Sequence, residues 1–296
     1  MSEKNIVLIG NFDGVHIGHQ SLITLAQKLL KSEGGNIVVI TFKPHPREVI
    51  LGKKIDLIIP YDEKRRLLNL YGADIIDEIE FNDSMLKMQS LQFANDFIIN
   101  KYKPSHIIIG ENFRFGHEAA GNSKFLEEIS NNRYKVHSLN IQKVGSSPVS
   151  STYIKQLLIQ GDVKKVKDFL GRSYSMNGIV VKGEQRGREI GFPTTNLETD
   201  WQFFPKPGVY ASYVKIDDKK HKSITNIGFR PTFGNFNLQI ESHIFNFNQQ
   251  VYGKNITIEF LTRIRDEKKF ETVEKLIENI KMDVTFAENY FKDLNI

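Results

Sequence analysis

The sequence predicts two domains: an N-terminal α/β doubly wound parallel sheet and a C-terminal small antiparallel β-barrel with a terminal helix. Three observations carry this. Up to about Leu170, short β-branched runs alternate with stretches whose apolar residues fall at helical spacing. After Gly171, closely spaced strand-like runs are broken by Gly, Pro and Asn. From Thr272 to Leu294 helical spacing returns, with Val273, Leu276, Ile277 and Ile280 on one face. The expected domains are residues 1–171 and 172–296.

In the first domain NIVLIG, NIVVITF, DIIDEIEF, SHIIIG and YKVHSL read as strands. Between them SLITLAQKLLKS, DEKRRLLNLYG, SLQFANDFIINKY and NSKFLEEISNN read as helices, and SSTYIKQLLIQGDVKKVKDFLG supplies two more that close the domain. Strand and helix in alternation imply a parallel sheet covered on both faces, with ligands gathering at the carboxyl ends of its strands. In the second domain GIVVKG, GVYASYVKI, HKSITNIG, LQIESHIF and ITIEFLTRI read as short strands. Turns punctuate them at NG, FPKPG and DDKK, and the closing helix packs on the barrel.

Composition narrows the function classes. The chain has 296 residues, 40% of them hydrophobic and 25% charged, which is ordinary for a soluble globular protein. No apolar stretch approaches the roughly 20 residues that span a bilayer, and MSEKNIVLIG enters a strand without a cleavable signal pattern. The expected location is the cytoplasm, with no membrane partner. With no cysteine, disulfide frameworks, thiolate metal sites and cysteine nucleophiles are all excluded. The net charge of +5 favours anionic small molecules, and its dispersed bases form no nucleic-acid stripe. Oligomeric state leaves no pattern in a single chain.

The segment GNFDGVHIGHQ follows the first strand directly. Gly10 and Gly14 let backbone approach a ligand, and His16 and His19 lie one helical turn apart, so both imidazoles can face one side. A helix start offers free N–H groups and a partial positive charge, which suits phosphate. Two imidazoles beside it can donate to oxygens whose negative charge grows during attack at phosphorus. Read from the pair alone, chance spacing of surface histidines and a metal site stand as alternatives to nucleotidyl transfer.

The full string IGNFDGVHIGHQSLI resembles the HxGH turn of the nucleotidylyltransferase superfamily, a Rossmann-like fold, and NFDGVH is similar to the branch that adenylylates FMN. TFKPHP, GENFRFGHEAAG and SSTYIK agree with that branch in order. The resemblance implies that His16 and His19 bind ATP phosphates and steady the transition state, and that Asp13 supports the loop. It implies that Asn112 holds nucleotide or flavin phosphate, and that Ser151 and Lys155 hold pyrophosphate. Lys155 stands where the family commonly has Arg, keeping the charge but giving up the planar fork. Phe42, His45 and Phe113 are the flavin-side candidates. Read in isolation, Asn112 is equally a turn residue, Ser151 a helix N-cap and His45 a solvated loop residue, while Phe113 reads as core or loop packing ahead of flavin stacking.

In the second domain VVKGEQRGREIGFPTTNL joins glycines to hydroxyls and a carboxamide. Such a loop can wrap phosphate and complete the oxygen shell of Mg²⁺, although it lacks the ending of a Walker A loop. GRxIGFPTxN resembles the riboflavin kinase signature, and PGVYAS, TNIGFRPTFG, QIESHIF, VYGK and FLTRIRDEKKF follow in order. By that resemblance Gly187, Arg188 and Gly191 lie at ATP phosphate, Thr194 and Asn196 coordinate the nucleotide's Mg²⁺, and Glu241 is the base. Thr195 replaces the usual Ala. His243 shares the face of Glu241 by strand alternation.

Together the motifs resemble the bacterial bifunctional riboflavin kinase/FMN adenylyltransferase, or FAD synthetase, family along nearly the whole chain. The resemblance implies two ATP-dependent, Mg²⁺-requiring transfers: riboflavin to FMN in the second domain, then FMN to FAD with release of pyrophosphate in the first. The partners expected are small molecules and not nucleic acid. Two alternatives stand beside this: a chain in which only the kinase works efficiently, and a non-catalytic flavin- or nucleotide-binding regulatory protein.

Overall fold

A computed structural model describes residues 4–183, 186–232 and 235–294. The chain packs as two compact units, residues 1–151 and 152–296.

The first unit opens with β1 (Asn5–Ile9), a 3₁₀ turn at Asp13–Val15 and α1 (Ile17–Glu33). It continues through β2 (Asn36–Lys43), α2 (Pro46–Leu51), α3 (Tyr61–Leu70), β3 (Ile75–Glu80) and α4 (Asp83–Leu86). A helical rod then runs through α5 (Ser90–Phe93), a π-helical stretch at Ala94–Ile99 and α6 (Asn100–Tyr102). β4 (Pro104–Gly110), α7 (Ser123–Glu128) and β5 (Lys135–Leu139) follow, then the small hairpin β6 (Lys143–Val144) and β7 (Ser147–Pro148). The five-stranded sheet has the order β3-β2-β1-β4-β5, and every pairing in it is parallel. β1 and β2 are buried almost end to end, as near-continuous runs of Ile, Val and Leu require when both sheet faces are covered. One core cluster packs Val7, Ile9, Val38 and Ile40 against the rod and α7 through Phe93, Ile98 and Leu126.

The second unit contains α8 (Ser151–Gln160) from Thr152 onward and α9 (Val163–Leu170). The barrel strands are β8 (Ser175–Val181), β9 (Thr195–Glu198), β10 (Gly208–Ile216), β11 (Lys219–Thr232), β12 (Asn235–Ile244) and β13 (Asn255–Asp266). The single turn α10 (Arg186–Glu189) lies before β9, and α11 (Val273–Asp293) ends the chain. The strands close in the order β10-β11-β12-β9-β8-β13, all antiparallel. Closure removes the sheet edges that an open antiparallel sheet would expose.

Two expectations about packing change. Residues 152–171, expected to close the first domain, go with the second unit. Val163, Val166, Phe169 and Leu170 are buried as α9 packs on β13, and Lys206 N–H donates to the Leu158 carbonyl at 2.9 Å. The seat of α11 also lies further along than its apolar stripe suggests. Val273 is exposed, whereas Ile280, Val284, Ala287 and Phe291 pack on Val209, Ala211, Tyr213 and Ile224. At the centre of that seat the Arg265 guanidinium donates to both carboxylate oxygens of Asp283, at 2.9, 3.2 and 2.7 Å. A carboxylate on the inner face of a helix is invisible to a hydrophobicity pattern.

Candidate active sites

In the sheet order the chain steps to one side of β1 through β2 and β3 and returns on the other through β4. That reversal makes the carboxyl ends of β1 and β4 a topological switch point, the place where open parallel sheets bind ligands. GNFDGVH leaves β1 there and GENFRFG leaves β4 there.

The first turn is held in a conformation most residues avoid. Phe12 has φ 53°, Gly14 φ 79° and Val15 φ 40°, in the left-handed region. At Gly14 a Cβ would also press on Ile58 Cδ1 at 3.0 Å. Buried polar bonds hold this geometry. Asp13 Oδ1 accepts from Ile58 N–H at 2.8 Å, its carbonyl accepts from Ser151 Oγ at 2.9 Å, and Gly10 N–H donates to the Ile40 carbonyl at 3.1 Å. Ser151 therefore reaches the turn across 138 residues of chain.

His16 caps α1, its Nδ1 accepting the His19 N–H at 3.3 Å. Its ring stacks on that of His19, centroids 3.6 Å apart and planes 12° from parallel. Phe12 backs the His19 ring at 5.0 Å. Gly18 makes room, since a Cβ there would crowd the His16 ring at 3.2 Å. Both imidazoles thus share one side of the mouth of a 17-residue helix, as their spacing predicts.

The remaining first-site candidates divide. Asn112 is exposed on the turn after β4, where Phe113 N–H donates to the Gly110 carbonyl at 2.9 Å. Phe113 is half-buried and stacks on Phe115 at 5.7 Å. Phe42, a flavin-side candidate, is buried, its ring packed against Phe81 and Phe93. His45 is buried rather than solvated, and caps α2 by accepting Arg47 N–H at 3.2 Å. Lys155 lies one turn beyond Ser151 on α8, its ammonium 5.9 Å from the Phe203 ring centre. Beside β2 the Tyr61 ring receives two ammoniums, Lys43 at 5.2 Å and Lys64 at 4.8 Å, and burial pushes the Tyr61 hydroxyl up to about 12.

In the barrel, register does what side-chain contacts do in the first unit. β9 pairs with β12 so that Asn196 lies opposite Glu241 and Thr195 opposite Ser242. On the other flank β11 places Asn226 opposite Glu241. Directly opposed residues share a sheet face, so a half-buried carboxylate stands between two carboxamides. Asn226 was not singled out in the sequence, although it lies in the quoted segment TNIGFRPTFG; strand pairing brings it to Glu241. The alternate residues turn inward, where Ser212, Ser223, Thr225 and Ser242 form a chain of buried hydroxyls at 2.7 to 2.8 Å.

The loop before β9 is folded tightly. Phe192 N–H donates to the Gly187 carbonyl at 2.7 Å, and a Cβ at Gly187 would lie 3.4 Å from Thr194 Oγ1. Gly183 backs onto the Asn196 carboxamide, and Gly191 turns with φ 87°. Half-buried His243 donates through Nδ1 to the Pro193 carbonyl at 2.9 Å; that oxygen carries no hydrogen, so the ring nitrogen must. Arg188 and Thr194 both line a cavity of 370 Å³, walled further by Ser242 and by Phe247, Asn248 and Tyr252 from the β12–β13 connection. Of these, Tyr252 lies in the quoted segment VYGK, while Phe247 and Asn248 fall in no motif. Glu184 and Gln185 of the Gly-rich stretch, and Phe233 and Gly234 of TNIGFRPTFG, lie outside the described residues.

A parallel sheet with paired histidines at its switch point, followed by a closed barrel with a hydroxyl, carboxamides and a carboxylate on neighbouring strands, defines a two-module transferase acting on phosphates. The FAD synthetase family model matches residues 1–153 and the riboflavin kinase model residues 170–291. The bifunctional riboflavin kinase/FMN adenylyltransferase of Bacillus subtilis is 34% identical over 98% of this chain and 94% of its own length. The Escherichia coli K12 protein of the same name is 29% identical, over 98% and 93%. A solved structure named as a macrolide-efflux protein from Streptococcus pneumoniae matches with TM-score 0.90 at 29% identity, covering 98% of this chain and 95% of that one. Among the described residues no helix is long and apolar enough to cross a membrane. The chain belongs to the bifunctional riboflavin kinase/FMN adenylyltransferase family, the FAD synthetases.

Proposed function

We propose that residues 172–296 phosphorylate riboflavin and residues 1–171 adenylylate the FMN produced, each through the residues described above. The observation that carries the kinase half is the register that sets Asn196 opposite Glu241. Glu241 accepts the proton of the ribityl 5′-hydroxyl as that oxygen bonds to the γ-phosphorus of ATP and the bond to ADP breaks. Thr194 and Asn196 suit Mg²⁺, being uncharged oxygen donors beside a nucleotide-sized cavity. Among the described residues no group of three His, Cys, Asp or Glu side chains could hold a metal alone, which fits an ion bound mainly through phosphates. Bound there, Mg²⁺ would neutralise phosphate charge. Arg188, which lines the cavity, and the adjoining Gly187 and Gly191 take the phosphates in this reading, and the carboxamide and aromatic wall at 247–252 takes the base.

In the adenylyltransferase half an FMN phosphate oxygen bonds to the α-phosphorus of ATP and pyrophosphate leaves. His16 and His19, stacked at the mouth of α1, donate to the oxygens that gain charge. Gly10 and Gly14 let the phosphates approach, Asp13 holds the turn, and Ser151 with Lys155 receives pyrophosphate. Asn112 binds phosphate, while His45 and Phe113 form the flavin side. The absence of cysteine fits a cytoplasmic setting.

The test is to incubate the protein with riboflavin, ATP and Mg²⁺ and separate the flavins over time. FMN followed by FAD is expected. FMN alone would leave only the kinase reading; unchanged riboflavin would refute the kinase half, and FMN supplied directly that yields no FAD would refute the other.

A further inference from the structure

Lys64 is a cation that neither reaction uses. It is 4% exposed, and its ammonium donates to Thr41 Oγ1 at 2.9 Å, lies 3.9 Å from Glu78 Oε1 and faces the Tyr61 ring. A buried ammonium is costly, and one early in a helix opposes the helix dipole. Burial pushes its pKa down to about 8 against the pull of Glu78 and Asp13, with Arg65 and Lys43 pushing the same way as burial. A methionine would fill the same space without that cost.

What the ammonium touches gives it a purpose. Thr41 Oγ1 also lies 3.2 Å from the Asn11 carbonyl. That carbonyl has no hydrogen and the ammonium has no acceptor, so the chain runs one way: Lys64 donates to Thr41, and Thr41 donates to Asn11. Asn11 is the first residue of the strained turn, followed by Phe12 in the left-handed region and by Asp13, one of the two carboxylates attracting Lys64. α3 itself packs on the 3₁₀ turn Asp13–Val15.

We propose that Lys64 is a positioning residue for adenylyl transfer: through the Thr41 hydroxyl its ammonium fixes Asn11 to Asp13, and with them the placement of His16 at the start of α1. This rests on reading the histidine turn as the adenylyl-transfer site. Because the histidines act on charge that develops in the transition state, a loosened turn lowers kcat more than it raises KM.

The experiment measures FMN-to-FAD conversion and riboflavin phosphorylation by the full chain in Lys64→Met, Thr41→Val and Thr41→Ser, alongside melting curves. Lys64→Met is expected to lower kcat for FAD formation about 10- to 100-fold, with KM for FMN within about threefold and phosphorylation unchanged. Thr41→Val, which keeps the cation but removes the relay, is expected to lower kcat about tenfold, and Thr41→Ser, which restores the hydroxyl, to recover it. Should Lys64→Met fail to fold, the Thr41 pair decides. Thr41→Val within twofold of wild-type kcat overturns the proposal, as does equal loss in Thr41→Val and Thr41→Ser. A wild-type chain that makes FMN but no FAD withdraws the reading of the histidine turn, and the proposal with it.

Discussion

Asp283→Ala should loosen the terminal helix from the barrel. Asp283 is buried on the inner face of α11 and accepts three hydrogen bonds from Arg265 of β13. Removing one partner of a buried ion pair leaves the other charge uncompensated, at a typical cost of about 3–5 kcal/mol. The Arg265 side chain retains 19% exposure and a second bond to the Asp266 carbonyl at 3.0 Å, so part of its charge can return to water. That argues for the lower end, about 3 kcal/mol. At roughly 3 °C per kcal/mol for a unit of this size, the melting temperature of the barrel unit should fall by about 10 °C. Scanning calorimetry of the full chain, with riboflavin phosphorylation to identify the barrel transition, reads this directly. A fall of less than about 3 °C would show the pair to be worth no more than a surface ion pair and would refute the reasoning.

Other perturbations separate the modules. Glu241→Ala should abolish FMN formation while FMN supplied from outside still becomes FAD; loss of both activities in a folded chain would sink the division. His19→Ala should let FMN accumulate without FAD, and undiminished FAD output would remove His19 from the mechanism. Lys64 gives a pH signature. Burial holds its pKa at about 8, below the 10.5 of a lysine in water, so between those pH values the unfolded chain binds the extra proton and stability rises with pH. Over that window wild type should gain up to about 3 kcal/mol relative to Lys64→Met; parallel stability–pH curves would show that the ammonium is not under strain.

Most of the fold was legible because hydrophobic periodicity reports burial directly. The runs at 5–9, 36–43 and 208–216 are strands for the same reason that they are apolar. The histidine turn was legible as a motif, and its spacing alone put two rings on one side of a helix. What stayed hidden was carried by polar groups in apolar places. Lys64 sits in a stretch that reads as an amphipathic helix, where a lysine is assigned to solvent; only tertiary structure shows Thr41 and Glu78 beside it. Asp283 is hidden by the same rule. Phe42 shows the complement: an aromatic in a binding motif also packs in the core, because motifs mark a segment while burial acts on each residue.

The pairing of β9 with β12 makes the kinase site a matter of counting along a strand. Glu241 faces Asn196 because the backbone ladder fixes which residues stand opposite, and a shift of one place would bring Ser242 round and turn the carboxylate to the barrel interior. An insertion of one residue between Leu238 and Ile244 would silence the kinase while leaving every motif residue present in the sequence.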